Sequence, residues 1–346
     1  MKKKAYLQTY MRKHDVLCGE PVVQFVDKTH VKVVGEISVI VNGSPVYIPQ
    51  DVTVARGTVE KGKDYAVTLA QDGTIAVEAY DYDTAEIEPT KRILGGFHTI
   101  CRNVPADYQK PPVAAFGGAL HELAGWSEGD ILPMSVWAMN FKPTADDPTG
   151  MVYAKECDAW IDIYNGSGTI ANPKSRFGGT RLHTHTAVEF MTGYGNGGKW
   201  LLNDESFWFA SVGSNCGTKM KGGAQPNPDT TGAHVDTANN PMISSIGCEE
   251  CCGLQAQWLG DFSANSGGSW DNTANPTTAF AGGANAFGSH YAMSGYRAVF
   301  AGGAWTTGST VACGPLYRHA NAARSIASVD NGSRGSSRST HPTANP

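Results

Sequence analysis

Between residues 22 and 79 the apolar positions fall in short β-branched runs broken by turn formers. Val22-Val23-Gln24-Phe25-Val26 and Val31-Lys32-Val33-Val34 read as strands. The run 36–41, the pair Asn42-Gly43 and the run 44–48 read as a hairpin, because Asn-Gly accepts the positive φ angles of a two-residue turn. A second hairpin is predicted from 64–69, the turn Gln71-Asp72-Gly73 and 74–79. Turn signals at this spacing predict an antiparallel β-sandwich. Further along, Met151-Val152-Tyr153 and 159–164 read as strands, and Ala298-Val299-Phe300-Ala301 precedes Gly302-Gly303 and Trp305. Helices are predicted over 186–192 and 204–212, the second opened by Asn203 as N-cap with Asp204 and Glu205 in its first turn. Two prolines, two aspartates and a glycine in 141–150 mark a boundary, giving domains 1–148 and 149–346. From 261 to 294 aliphatic periodicity nearly disappears; Trp270, Phe280, Phe287 and Tyr291 predict a long ordered loop rather than a linker. The tail after Gly335 is polar and expected to fray.

Composition narrows the class. Charged residues make up 17% of the 346 residues and there are 41 glycines, a mix closer to extracellular or virion β proteins than to helical enzymes. After Lys221 no lysine follows, and five arginines and seven acidic residues remain. A net charge of −5 provides no basic field for nucleic acid. No apolar run is long enough for a membrane helix, so no membrane insertion is expected. The basic start Met1-Lys2-Lys3-Lys4 is not followed by an apolar stretch, so no secretion signal is read. The eight cysteines are read mostly as small buried apolar residues rather than a disulfide framework.

A set of short motifs, in order, carries a resemblance. They are Gly62-Lys63-Asp64-Tyr65-Ala66-Val67 with Gln71-Asp72-Gly73-Thr74; Gly95-Gly96-Phe97-His98; Ser135-Val136-Trp137 to Phe141-Lys142-Pro143; and Asp147-Pro148-Thr149-Gly150-Met151. There follow Trp160-Ile161-Asp162-Ile163-Tyr164, the segment 201–207, Gly302-Gly303-Ala304-Trp305 and Gly332-Ser333-Arg334-Gly335. From about residue 60 onward the chain resembles the phage major tropism determinants, diversified receptor-binding proteins encoded with diversity-generating retroelements. The resemblance implies an α+β, mostly β fold: an N-terminal antiparallel β-sandwich, then a C-type-lectin-like domain of the formylglycine-generating-enzyme type. It implies a homotrimer on a tail fibre or other host-facing virion surface, held by tail-fibre or baseplate proteins and binding a host surface protein or glycan. Two features depart from the family. The N-terminal trimerising β-prism is missing or reduced, and the usual ending after Gly-x-Arg-Gly is replaced by a Ser-rich tail.

The same resemblance makes 300–335 the variable segment. The stretch 306–331 is mostly small and polar, which reads as a solvated loop or as a binding face of adaptable side chains on rigid flanks. Expected contact positions are Ala304, Thr306, Thr307, Thr310, His319, Ala320, Asn321, Ala322, Ile326, Ser328, Asp330 and Asn331. Trp305 is expected in the core, and Arg334 is expected to tie loops together through its fork of donors.

Other chemistry is read as absent. No cofactor, metal or catalytic residue is expected. Cys248-Glu249-Glu250-Cys251-Cys252 lacks the second ligand pair of a zinc site, and the resemblance makes this stretch, with Gln257 and Trp258, a core strand. His183-Thr184-His185 with Glu189 could bind a metal, with His185 and Glu189 on one helix face at i, i+4 if the helix reaches back that far, but a lone cluster of this kind reads as surface or satisfied histidine. Gln225-Pro226-Asn227 and Trp270-Asp271-Asn272 are too far apart, and the second too permuted, for the calcium and sugar motifs of true C-type lectins. A copper oxidase of the same fold needs two thiolates near the chain end, where Cys313 stands alone in sequence. The chain is thus read as a binder and not an enzyme, with a structural virion decoration as the alternative.

Overall fold

The computed structural model describes residues 20–84, 88, 90–111, 118–222, 229–265, 269–271, 290–292, 295–306, 313–323 and 325–341, with backbone only at 262–265, 269–271, 290–292, 295–296 and 321. The architecture is mostly β. The chain forms two compact units. One contains the described residues of Met1–Arg102, Ser127–Met151 and Arg338–Pro346; the other contains Asn103–Trp126 and Val152–Ser337.

In the first unit, β1 (Val23–Asp27), β2 (His30–Val33) and β5 (Val52–Ala55) form an antiparallel sheet in the order β1-β2-β5. The hairpin of β3 (Ile37–Val41) and β4 (Ser44–Ile48) closes through Asn42 and Gly43, with φ of 47° and 80°, as the Asn-Gly pair predicts. A third sheet takes β6 (Asp64–Ala70), β7 (Ile75–Ala79), β8 (Lys91–His98) and β9 (Trp137–Ala138) in the order β7-β6-β8-β9. Alternate residues of these strands, among them Val31, Val33, Val39, Val41, Val67 and Leu69, meet in one buried cluster with Leu94, Phe97 and Ile131. Each such side chain contributes roughly 1.5–3 kcal/mol on burial, so alternation alone anchors this unit.

The second unit has two larger sheets. One runs β10-β11-β21-β14, from β10 (Met151–Ala154), β11 (Ala159–Asp162), β14 (Trp200–Leu201) and β21 (Gly335–Arg338). A small hairpin pairs β12 (Ser167–Thr169) with β13 (Asn172–Lys174). The other sheet contains β15 (Ala256–Asn265), β16 (Ser269–Asp271), β17 (His290–Ala292), β18 (Gly295–Gly302), β19 (Gly314–Ala322) and β20 (Asn331–Gly332) in the order β16-β17-β19-β18-β15-β20. The β17–β19 and β15–β20 pairings are parallel. Helix α1 (Ala187–Asn196) is longer than the sequence predicts. Thr186 caps it in a reciprocal box with Glu189, and it runs on past Gly193, where any side chain would meet the Ile170 carbonyl. Helix α2 (Asp204–Ser211) begins as predicted, with Asn203 Oδ1 accepting from the Ser206 N–H at 2.8 Å.

Three expectations are corrected. The stretch 261–294 is not all loop, since β15 continues through Asn265 and the segments 269–271 and 290–292 are strands; Phe280 and Phe287 lie outside the described residues. Residues 262–265 have no aliphatic pattern because pairing with 295–298 of β18 supplies their order. Cys248, Cys251 and Cys252 are fully buried but not in a strand, because Glu250 and Gly253 sit at positive φ; the strand starts only at Ala256. The tail after Gly335 is not frayed through its described residues, because Gly335–Arg338 form β21, buried at 335–337 and paired between β11 and β14. The condition that would place His185 on a helix face with Glu189 is not met, since Thr186 is the N-cap.

Residues 103–126 join the second unit through contacts such as Tyr108 Oη donating to the Pro241 carbonyl at 3.1 Å. Within this stretch, His121 Nδ1 accepts from the Leu123 N–H at 3.1 Å. Loss of solvent pushes the imidazole down to about 4. The unfolded chain takes up this proton near the ordinary value of 6.5, and the folded chain does not until about 4. Stability is therefore complete above pH 6.5 and declines as pH falls toward 4, by at most about 1.4 kcal/mol per unit. Urea unfolding at pH 4.5, 5.5 and 7 should show this slope. His121→Gln should flatten it, and an unchanged slope in that variant would remove His121 as its source.

Candidate functional site

The site is built around the C-terminal half of the larger sheet. Strand β18 ends at Gly302, whose φ of 81° turns the chain where a side chain would run into the Cys251 carbonyl at 2.3 Å. Trp305 follows and is core: it is 7% exposed and packs with Met220, Met242, Leu254 and Val329. Beneath, Trp258 of β15 and Phe300 of β18 are in ring contact, with centroids 3.7 Å apart. The Trp258 indole donates to the His185 carbonyl at 3.3 Å.

Arg334 is 1% exposed and occupies the centre of the unit. Nη1 donates to the carbonyls of Asp162 (2.7 Å) and Ile163 (2.6 Å), Nε to Gln257 Oε1 (3.1 Å), and Nη2 to Asn165 Oδ1 (3.2 Å) and the Glu249 carbonyl. This joins β11, the 248–252 turn and β15 in one fork, the tie read from the sequence. Next to it Lys199 Nζ reaches Asp162 Oδ1 at 2.6 Å, both buried, and the Gly335 N–H donates to Asp162 Oδ2 at 3.0 Å. Burial raises the Asp162 carboxyl, opposed by Lys199.

On this frame the expected contact positions separate. Ala304 (3% exposed), Ala320 (2%), Ala322 (0%) and Asn331 (4%) are inside. Ala320 and Ala322 sit in β19, inserted between β17 and β18, so part of a stretch that composition leaves looking like loop is a sheet strand. His319 is half-buried on Phe300, and burial lowers its imidazole. Asn321 is in β19 by backbone; Thr307 and Thr310 lie outside the described residues. Thr306 is exposed, and its hydroxyl donates to Asp330 Oδ2 at 2.6 Å. Ile326 is 38% exposed, with Ser328 and Asp330 partly exposed. The segment 325–330 is held from below: Ala256 N–H donates to the Asp330 carbonyl and Thr184 N–H to the Ser328 carbonyl, each at 2.9 Å. Side chains thus project from a backbone pinned at 328 and 330.

Sequence spacing missed two features. Cys313 is not isolated in space. Gly217 N–H donates to its carbonyl at 2.8 Å, which brings Cys216 alongside, and Cys216 and Cys252 both feel Cys313. Burial pushes the Cys216 thiol up to about 12, so the free thiol stays protonated and is a poor nucleophile. The other is His183: its Nδ1 is 2.7 Å from Thr184 Oγ1 and its Nε2 is 3.3 Å from Asp229 Oδ2, while the buried Arg181 binds the same carboxylate with Nε at 2.9 Å. Asp229 is 46 residues from His183 in sequence, so no local motif marks the contact. The triplet 225–227 and Asn272 lie outside the described residues.

No protein-family profile matches the chain. The tail fiber receptor-binding protein of Bordetella phage BPP-1 is 27% identical over 278 residues, covering 70% of this chain and 68% of that protein. Among solved structures, the major tropism determinant U1 variant superposes with a TM-score of 0.71 at 21% identity, covering 96% of this chain and 88% of that one. The M1 variant gives 0.70 at 20% identity, over 94% and 86%. The chain is therefore a sequence relative of a phage tail fibre receptor-binding protein and has the fold of the major tropism determinant variants.

Proposed function

We propose that this chain is a phage receptor-binding protein on the tail fibre, whose second unit is a C-type-lectin-like domain carried on an N-terminal β-sandwich. The likeness to a tail fiber receptor-binding protein over 70% of the chain carries this reading. The ligand is a host surface protein or glycan. The contacts are Thr306, His319, Ile326, Ser328 and Asp330, with Thr307, Thr310 and Asn321 of the same segment. Ala304, Ala320, Ala322 and Asn331 act from beneath, setting the backbone on which the others stand. Adhesion of this kind draws on many weak contacts, so a homotrimer and several fibres per virion would raise avidity.

The test is adhesion of the fluorescently labelled full chain to a panel of whole bacterial cells, Bordetella included. A double variant, Ile326→Asp with Ser328→Tyr, alters two side chains on the segment and leaves the Ser328 carbonyl in place. We expect at least about a tenfold loss of binding with the fold intact, the scale of one lost contact cluster. Equal binding by the double variant would end this reading, as would a panel in which no strain binds the unaltered chain.

A further inference from the structure

The proposed contact segment is too small and polar to provide a whole interface, so its fixed surroundings matter. The chain running into α1 supplies them. Thr184 is exposed at the tip of this loop and has φ of +60°, an unfavourable conformation for a β-branched residue. Glycine would adopt it without cost, yet threonine stands there. Its N–H holds the Ser328 carbonyl at 2.9 Å, so the tip adjoins the segment 325–330 directly. A second link runs from Arg181 Nη1 to the Val329 carbonyl at 3.5 Å.

The side chains at the tip lie in one cluster. Asp229, held by the buried Arg181, lies 3.3 Å from His183 Nε2, and His183 Nδ1 is 2.7 Å from Thr184 Oγ1. A threonine hydroxyl keeps acceptor capacity beside its bond to His183, so the exposed Thr184 Oγ1 can take a hydrogen bond from a ligand. The partly exposed carboxylates of Asp229 and Asp330 flank the same region and disfavour an anionic group.

We propose that His183, Thr184 and Asp229 form a constant part of the contact surface, in which Thr184 accepts a hydrogen bond from an amine or hydroxyl of the ligand that segment 325–330 also touches. This rests on the receptor-binding reading above. A strained residue kept at a contact surface exchanges stability for geometry. Thr184→Gly should therefore raise the thermal midpoint by about 2–4 °C while lowering adhesion about five- to tenfold. The assay uses the bacterial strain bound by the unaltered full chain. His183→Asn should lower adhesion in the same direction.

The outcomes separate the two readings. If Ile326→Asp with Ser328→Tyr abolishes adhesion while Thr184→Gly and His183→Asn leave it unchanged, the constant surface is wrong and the receptor-binding reading stands. A purely structural Thr184 would move the midpoint and not adhesion. If none of the variants changes adhesion, both fall. Capping cell-surface amines with an acetylating ester, or cleaving vicinal diols with periodate, identifies the source of the donor. One treatment should bring the unaltered chain down to the level of Thr184→Gly, and failure of both would overturn the assigned ligand chemistry.

Discussion

Replacing Arg334 by Met is expected to lower the unfolding free energy of the second unit by about 4 kcal/mol or more. Three backbone carbonyls and the side-chain oxygens of Gln257 and Asn165 would lose a common donor inside the molecule. An acceptor left unsatisfied in the interior costs about 1–3 kcal/mol, and hydrogen bonds to a charged donor are at the upper end. Methionine fills much of the volume, so a cavity is not the main cause. Arg334→Lys retains the charge but not the fork, and should recover less than half of the loss. Tryptophan fluorescence during urea unfolding provides the measurement, since Trp160, Trp258 and Trp305 are all buried in this unit. A loss below about 1 kcal/mol for Arg334→Met would show that the fork is not what joins these elements.

Lys199→Met should cost about 3–5 kcal/mol at pH 7, for a different reason. It leaves the Asp162 carboxylate fully buried with the Gly335 N–H and, as the cation still beside it, Arg334, which is spent on the Asp162 and Ile163 carbonyls. Burial already raises this carboxyl, and Lys199 is the first of the groups that oppose the rise. Without the lysine the folded chain must carry a protonated acid or a charge that Arg334 compensates only in part. An acid held protonated in the folded state and ionised in the unfolded state destabilises more as pH rises. The difference between Lys199→Met and the unaltered chain should thus shrink between pH 7 and pH 5. Adding Asp162→Asn keeps an acceptor for the Gly335 N–H and removes the charge, so the double variant should recover at least half of the loss. A double variant no more stable than Lys199→Met, or a difference independent of pH, would refute this account.

Both predictions concern residues for which the sequence was unequally informative. Arg334 was legible because an arginine between small residues near the chain end, within a recognisable Gly-Ser-Arg-Gly, had few roles available. Asp162 and Lys199 were not, since 37 residues separate them and nothing in the Trp160–Tyr164 motif marks Lys199 as the partner of Asp162. The relation of Cys216 and Cys252 to Cys313, and of Asp229 to His183, was hidden in the same way.

What the sequence determined by itself was local. Alternating β-branched residues and Asn42-Gly43 specified hairpins, because side-chain period and turn dihedrals act over a few residues. Thr186 with Glu189 and Asn203 with Ser206 specified where the helices start, because a cap needs only its own first turn. Ordered short motifs carried the relationship to tropism determinants. What only the tertiary structure decided was which small residues face solvent. Ala320 and Ala322 are covered, whereas Ile326 is not, although composition alone would order them the other way. Burial of an alanine depends on the strands paired to either side of it, and those partners come from distant parts of the chain.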